Sequence, residues 1–109
     1  MKILRLGTYK EHAMEMIPEK WVHKIHLDEH IVALVRRGKS FYAFQATCPN
    51  RGALLFRGSF TDEHEIICPL NRYRFDFKTG KIKLGSCGDL KIFSVEVHED
   101  GLKIFFPSK

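Results

Sequence analysis

The sequence predicts an all-β, antiparallel fold of the sandwich or barrel type. Three observations carry that prediction. Nine Phe, three Tyr and one Trp are spread through short segments rich in β-branched and aromatic residues, which favour a pleated, half-buried surface. Turn signals recur between these segments, at Asp28-Glu29, Arg37-Gly38, Thr79-Gly80 and Asp100-Gly101. Within the segments, apolar and polar residues alternate or run apolar on both parities, as strands covered on one face or on two should.

The elements follow in order. Residues 8–19 hold Met14, Met16 and Ile17 among several charges and end at Pro18, which suits a short helical turn or a loop over the core. Trp21 to Leu27 alternates apolar and polar side chains and reads as a half-buried strand. Ile31 to Val35 is almost continuously apolar and reads as a buried strand. Phe41 to Ala46 follows the turn Arg37-Gly38-Lys39, so these two strands should form a hairpin. Residues 47–58 and 68–72 carry Cys, Pro, Asn, Arg and Gly and read as loops. Leu90 to Val97 and Leu102 to Phe106 flank His98-Glu99-Asp100-Gly101, a second hairpin in which Gly101 is free to take φ > 0.

A length of 109 residues argues for one domain, 1–109, large enough to bury a core. With 44% hydrophobic and 28% charged residues the composition is that of a folded chain. The net charge of +5 is basic, yet too modest to name nucleic acid as the partner. Three cysteines, an odd number, favour a reducing compartment over a disulfide scaffold. No apolar stretch approaches the roughly 18 residues that a membrane-spanning helix needs. The start, MKILRLGTYKEHAMEM, lacks the apolar run of a signal peptide. A cytoplasmic location without membrane association is therefore expected. No Ser-His-Asp arrangement, phosphate-binding glycine loop or His-Glu-x-x-His motif is present, so an enzyme of those classes is not expected.

The chemistry-bearing residues lie in two Cys-Pro loops. The first reads Cys48-Pro49-Asn50-Arg51-Gly52-Ala53-Leu54-Leu55, and the second Cys68-Pro69-Leu70-Asn71-Arg72-Tyr73-Arg74-Phe75-Asp76, continuing Phe77-Lys78-Thr79-Gly80. Each sets a Cys-Pro at a strand end, where a tight turn can present a thiolate. The pattern resembles the Rieske-type ferredoxin family, whose loops run Cys-x-His and Cys-x-x-His. Residues 51–67 between Asn50 and Cys68 match the family's separation, and the Arg-Gly-Ala-x-Leu and Arg-Phe-Asp-x-Lys-Thr-Gly tails match as well. The resemblance extends over nearly the whole chain, including the closing hairpin. It implies a Rieske-like antiparallel β-sandwich carrying a cluster-loop subdomain over 46–86. It also implies that Cys48 and Cys68 are the thiol ligands, and that the loop bearing Cys87 in Gly85-Ser86-Cys87-Gly88 covers the site.

In that family two Cys hold one iron and two His the other iron of a [2Fe–2S] cluster. Here both His positions are Asn, Asn50 and Asn71. An amide is a poor substitute for imidazole toward iron and does not titrate. The expectation is therefore that no cofactor binds. Three readings of the cysteines stay open: inert buried thiols, a Cys48–Cys68 disulfide, or a metal. The metal could be a cluster with unusual partners, or a mononuclear ion using Cys48, Cys68 and Cys87. The histidines that exist, His12, His23, His26, His30, His64 and His98, read as strand and turn residues rather than replacement ligands. Arg51, Arg57, Arg72 and Arg74 cluster around the loops. They read as a solvated rim or as an electropositive tip that takes an anion or an acidic partner residue. Asn50 and Asn71 could also fill the space by pairing with loop donors and with each other.

These readings favour a Rieske-like accessory or binding module of a redox system, not itself an enzyme. It would dock a protein partner with an acidic surface and is similar to the cluster-less small subunits of some nitrite reductases. The alternatives are an atypical [2Fe–2S] electron-transfer ferredoxin for an oxygenase or reductase, and a thiol-redox or zinc-binding protein.

Overall fold

The computed structural model describes residues 2–27 and 30–106; the Asp28-Glu29 turn lies outside the described residues. Two antiparallel sheets make up the fold. The larger has six strands: β1 (Lys2–Leu6), β2 (His23–Leu27), β3 (His30–Arg37), β4 (Ser40–Gln45), β9 (Ile92–His98) and β10 (Gly101–Phe106), in the order β1-β10-β9-β4-β3-β2. The smaller has four: β5 (Ser59–Phe60), β6 (Glu65–Ile67), β7 (Arg74–Asp76) and β8 (Ile82–Leu84), in sequence order.

Both predicted hairpins form. β3 and β4 pair with Val35 opposite Tyr42 and Arg37 opposite Ser40, closing through Gly38 and Lys39. β9 and β10 pair with His98 opposite Gly101, whose φ is 119°. The apolar run in β3 is explained by burial on both of its faces. Ala33 and Val35 join Phe44, Ile66, Phe75, Phe77 and Leu90 in a core shared with the small sheet. Val32 and Leu34 join Phe41, Ala43, Leu102 and Ile104 in a second core, where the large sheet curls on itself.

Residues 8–19 resolve in favour of a helix, α1 (Lys10–Met16), built from good helix formers. It ends because Pro18 disfavours helical backbone at Ile17. Ala13 and Ile17, four apart and so on one face, close the second core. The Ile17 carbonyl, left without a helical partner, accepts Arg36 Nε–H at 2.6 Å.

The loop reading of 47–58 holds apart from a short 3-10 turn, Leu55–Arg57, and the small sheet begins just beyond it at Ser59. Its inner face carries Ile66 and Phe75, with Phe77 just beyond β7. The Phe77 ring meets Tyr42, Phe44, Phe60 and His64 at centroid distances of 5.2, 6.0, 6.1 and 5.5 Å, tying the small sheet to β4.

Candidate functional site

The two Cys-Pro loops have the same backbone construction. In the first, Cys48 N–H donates to Ala53 O at 2.7 Å and Gly52 N–H to Cys48 O at 3.1 Å. In the second, Cys68 N–H donates to Tyr73 O at 2.9 Å and Arg72 N–H to Cys68 O at 3.0 Å. Each loop thus clasps its cysteine at both backbone polar groups. The tight return requires left-handed backbone at Arg51 and Gly52 in one loop (φ 68° and 69°) and at Arg72 in the other (φ 65°). The pair reading of the sequence therefore has a structural counterpart: one turn built twice.

The turns bring the cysteines together. Cys48 is 2% exposed and Cys68 is fully buried, both in the core under the loops, and Cys68 lies near enough to help raise the Cys48 thiol. Both are free thiols. Burial pushes the Cys48 thiol up to about 11; the Asn50 backbone N–H, donating to that sulfur, acts against the rise. Cys87 is half-buried against the same core, and its thiol is also raised, by burial first and then by neighbouring Cys68. Among the described residues no group of three or more His, Cys, Asp or Glu is gathered to hold a metal ion.

The loop carrying Cys87 closes over the second Cys-Pro loop through Tyr73, whose hydroxyl hydrogen-bonds Ser86 Oγ at 3.2 Å. Gly85 has φ 130°, and a Cβ there would lie 2.4 Å from Tyr73 Cδ2, so only glycine permits this approach. The first loop is anchored from β4. The Gln45 side chain donates to Thr47 O at 2.6 Å and accepts Lys91 N–H at 2.7 Å. Sequence reasoning missed Gln45, Tyr73 and Ser86. The tyrosine and serine stood inside the quoted motifs, but nothing local shows that they touch.

Asn71 turns its Oδ1 to Tyr73 N–H at 3.0 Å, an Asx turn inside its own loop. Its Nδ2 is buried without an acceptor, so the two asparagines do not pair through it. His64 packs on Phe77 and Tyr42, and His98 contacts Glu96 at 2.8 Å, in keeping with structural roles. The four arginines separate. Arg74 is tied to Glu65 at 3.2 Å. Arg51 is exposed on the first loop. Arg57 and Arg72 line one pocket beside Cys68.

Two antiparallel sheets with a buried thiol pair at paired Cys-Pro turns are the arrangement that the resemblance to Rieske-type ferredoxins implies. The Rieske [2Fe-2S] domain matches residues 8–94, and the chain belongs to that family. Among solved structures it is similar to the ferredoxin of carbazole 1,9a-dioxygenase from Nocardioides aromaticivorans IC177. The two share 26% identity at a TM-score of 0.81, over 95% of this chain and 97% of the other. It is also similar to a ferredoxin from Sphingomonas yanoikuyae B1, at 19% identity and TM-score 0.76, over 95% of this chain and 100% of that one. A protein described as an NADH-dependent nitrite reductase small subunit from Mycobacterium tuberculosis shares 17% identity at TM-score 0.80, over 99% of this chain and 97% of that one. The last two likenesses speak for the fold alone. No curated protein sequence matches the chain.

Family membership and the 26% identical ferredoxin neighbour correct the expectation that no cofactor binds, because both point to a [2Fe–2S] cluster. That expectation weighed the two amides alone. The buried thiol pair and the clasped loop backbone are in place, and they fit one iron of such a cluster. At the other two positions the chain presents the amides of Asn50 and Asn71 instead of imidazoles.

Proposed function

We propose that the chain is an electron-transfer component of the ferredoxin type, serving an oxygenase or reductase, with a [2Fe–2S] cluster of atypical ligation. Cys48 and Cys68 would hold one iron through sulfur, and Asn50 and Asn71 stand where the resemblance places the ligands of the other. Such a cluster supplies reversible one-electron acceptance when bound. The chain's own residues do the rest. The clasped loops fix both thiols in position, and the Asn50 N–H stabilises charge on the Cys48 sulfur. Burial and the Tyr73–Ser86 closure limit water at the centre. Segment 46–86 is the unit that carries the centre, set on the six-stranded sheet. The partner is a redox protein with an acidic surface, in keeping with the +5 charge of this chain. Among the described residues no helix is long and apolar enough to cross a membrane.

The observation that supports this most is the pair of neighbouring, buried thiols on two turns of identical hydrogen bonding. The experiment is anaerobic purification with iron and acid-labile sulfide assays and electron paramagnetic resonance of the reduced sample. Iron and sulfide in equal amounts, with a reduced-state signal that Cys48→Ser and Cys68→Ser abolish, is the expected result. Colourless protein that cannot be reconstituted with iron and sulfide would overturn it.

A further inference from the structure

We infer that the pocket between Arg57 and Arg72 receives a carboxylate side chain of the redox partner, placing an Asp or Glu of that protein directly beside the Cys68 loop. This rests on the electron-transfer reading and supplies the contact that reading leaves open. The pocket is about 210 Å³ and is also lined by Ser59, Pro69 and Cys68. That is below the roughly 300 Å³ at which cofactor-sized sites begin, yet ample for a carboxylate.

The charge arrangement decides the ligand class. Three arginines elsewhere on the chain have carboxylates of their own: Arg36 with Glu19, Arg37 with Asp62, Arg74 with Glu65. Arg57 and Arg72 have no such partner among the described residues, and no Asp or Glu lines their pocket. The two exposed guanidiniums offer donors only, since guanidinium has no acceptor, and the Ser59 hydroxyl can donate beside them, so an anion is the ligand they suit. Their backbones are held in place before any partner arrives. Arg57 N–H donates to Leu54 O at 3.1 Å, and Arg72 N–H to Cys68 O at 3.0 Å. Leu70 and Leu54, 58% and 38% exposed, lie on the same two loops. Apolar contacts beside paired arginines are the composition of a protein interface rather than of a free-anion site.

The test uses the full chain and a fluorescein-labelled hexaglutamate peptide, read by anisotropy at low ionic strength. The variant Arg57→Gln/Arg72→Gln should weaken binding by about tenfold or more, the loss expected for charge-assisted hydrogen bonds. The control Arg5→Gln/Lys39→Gln removes the same charge outside the pocket and should weaken it far less. Equal losses in the two variants would overturn the inference in favour of general charge attraction. No measurable peptide binding, together with phosphate binding seen as 31P line broadening that the Arg57/Arg72 variant loses, would also overturn it, making the pocket a small-anion site. The iron and sulfide assays are independent of this titration. Failure of the electron-transfer reading shows as absent iron, and failure of the pocket shows as unchanged anisotropy in the Arg57/Arg72 variant.

Discussion

At the scale of single residues, Asn50 and Asn71 decide how the proposed centre handles protons. An imidazole on iron titrates within reach of neutral pH and couples electron uptake to proton uptake; an amide has no proton to exchange there. The midpoint potential of this chain is therefore expected to stay flat between about pH 6 and 9, the range in which imidazoles on a cluster respond. In Asn50→His/Asn71→His it should fall as pH rises, because the oxidised state then loses protons that the reduced state keeps. Voltammetry of both proteins across that range checks this, and a sloping profile in the unaltered chain would contradict it. A second residue-scale prediction concerns the thiols of metal-free protein. Cys87 is half-buried, whereas Cys48 is buried and raised to about 11. Iodoacetamide at pH 8 should modify Cys87 well ahead of Cys48, and mass spectrometry after partial labelling reads the order. At this scale the sequence was informative about chemistry and silent about contacts. Cys48, Cys68, Asn50 and Asn71 are legible from spacing and flanks. Tyr73 with Ser86, and Gln45 with Lys91, are brought together only by folding.

At the scale of elements, the anchoring of the first loop is open to test. Gln45 ends β4 and bridges Thr47 O to Lys91 N–H, while its own N–H donates to Lys91 O at 2.9 Å. Gln45→Ala removes the side-chain bridge and leaves a backbone donor and an acceptor unmet. The expected loss is about 0.5–1.5 kcal/mol of stability, measured by denaturant unfolding, with faster release of iron from iron-loaded protein. No stability change would show that water replaces the amide without loss. The elements also show where periodicity stops being readable. β2, β3, β4, β9 and β10 run five to eight residues, long enough for alternation or two-faced apolarity to show. β5 to β8 run two or three residues each, too short to carry any period. Their pairing is set by the turns at Asp76–Gly80 and the Cys68 loop, which the sequence displays as turn signals without saying what they join.

For the molecule as a whole, β3 belongs to both cores, so the sheet that supports the proposed redox site cannot loosen on one side alone. Leu34 faces the core closed by α1 and β10, while Phe75 faces the core under the thiols. Both side chains are fully buried. Leu34→Ala should cost about 2–5 kcal/mol and Phe75→Ala about 3–5 kcal/mol, each from lost burial plus an unfilled cavity. Because Val32 and Leu34 alternate along one strand with Ala33 and Val35, opening either core displaces residues of the other. Each variant is therefore expected to keep a single unfolding transition, only at lower denaturant. Far-ultraviolet circular dichroism follows the sheets, and the fluorescence of the lone Trp21, at the entrance to β2, follows the edge of the large sheet. The two signals should change together in both variants, and Leu34→Ala should release iron more readily although it lies in the core away from the thiols. Separate transitions, with iron retention unaffected by Leu34→Ala, would show instead that the small sheet and its loops form an independent unit and that β3 is merely a shared wall.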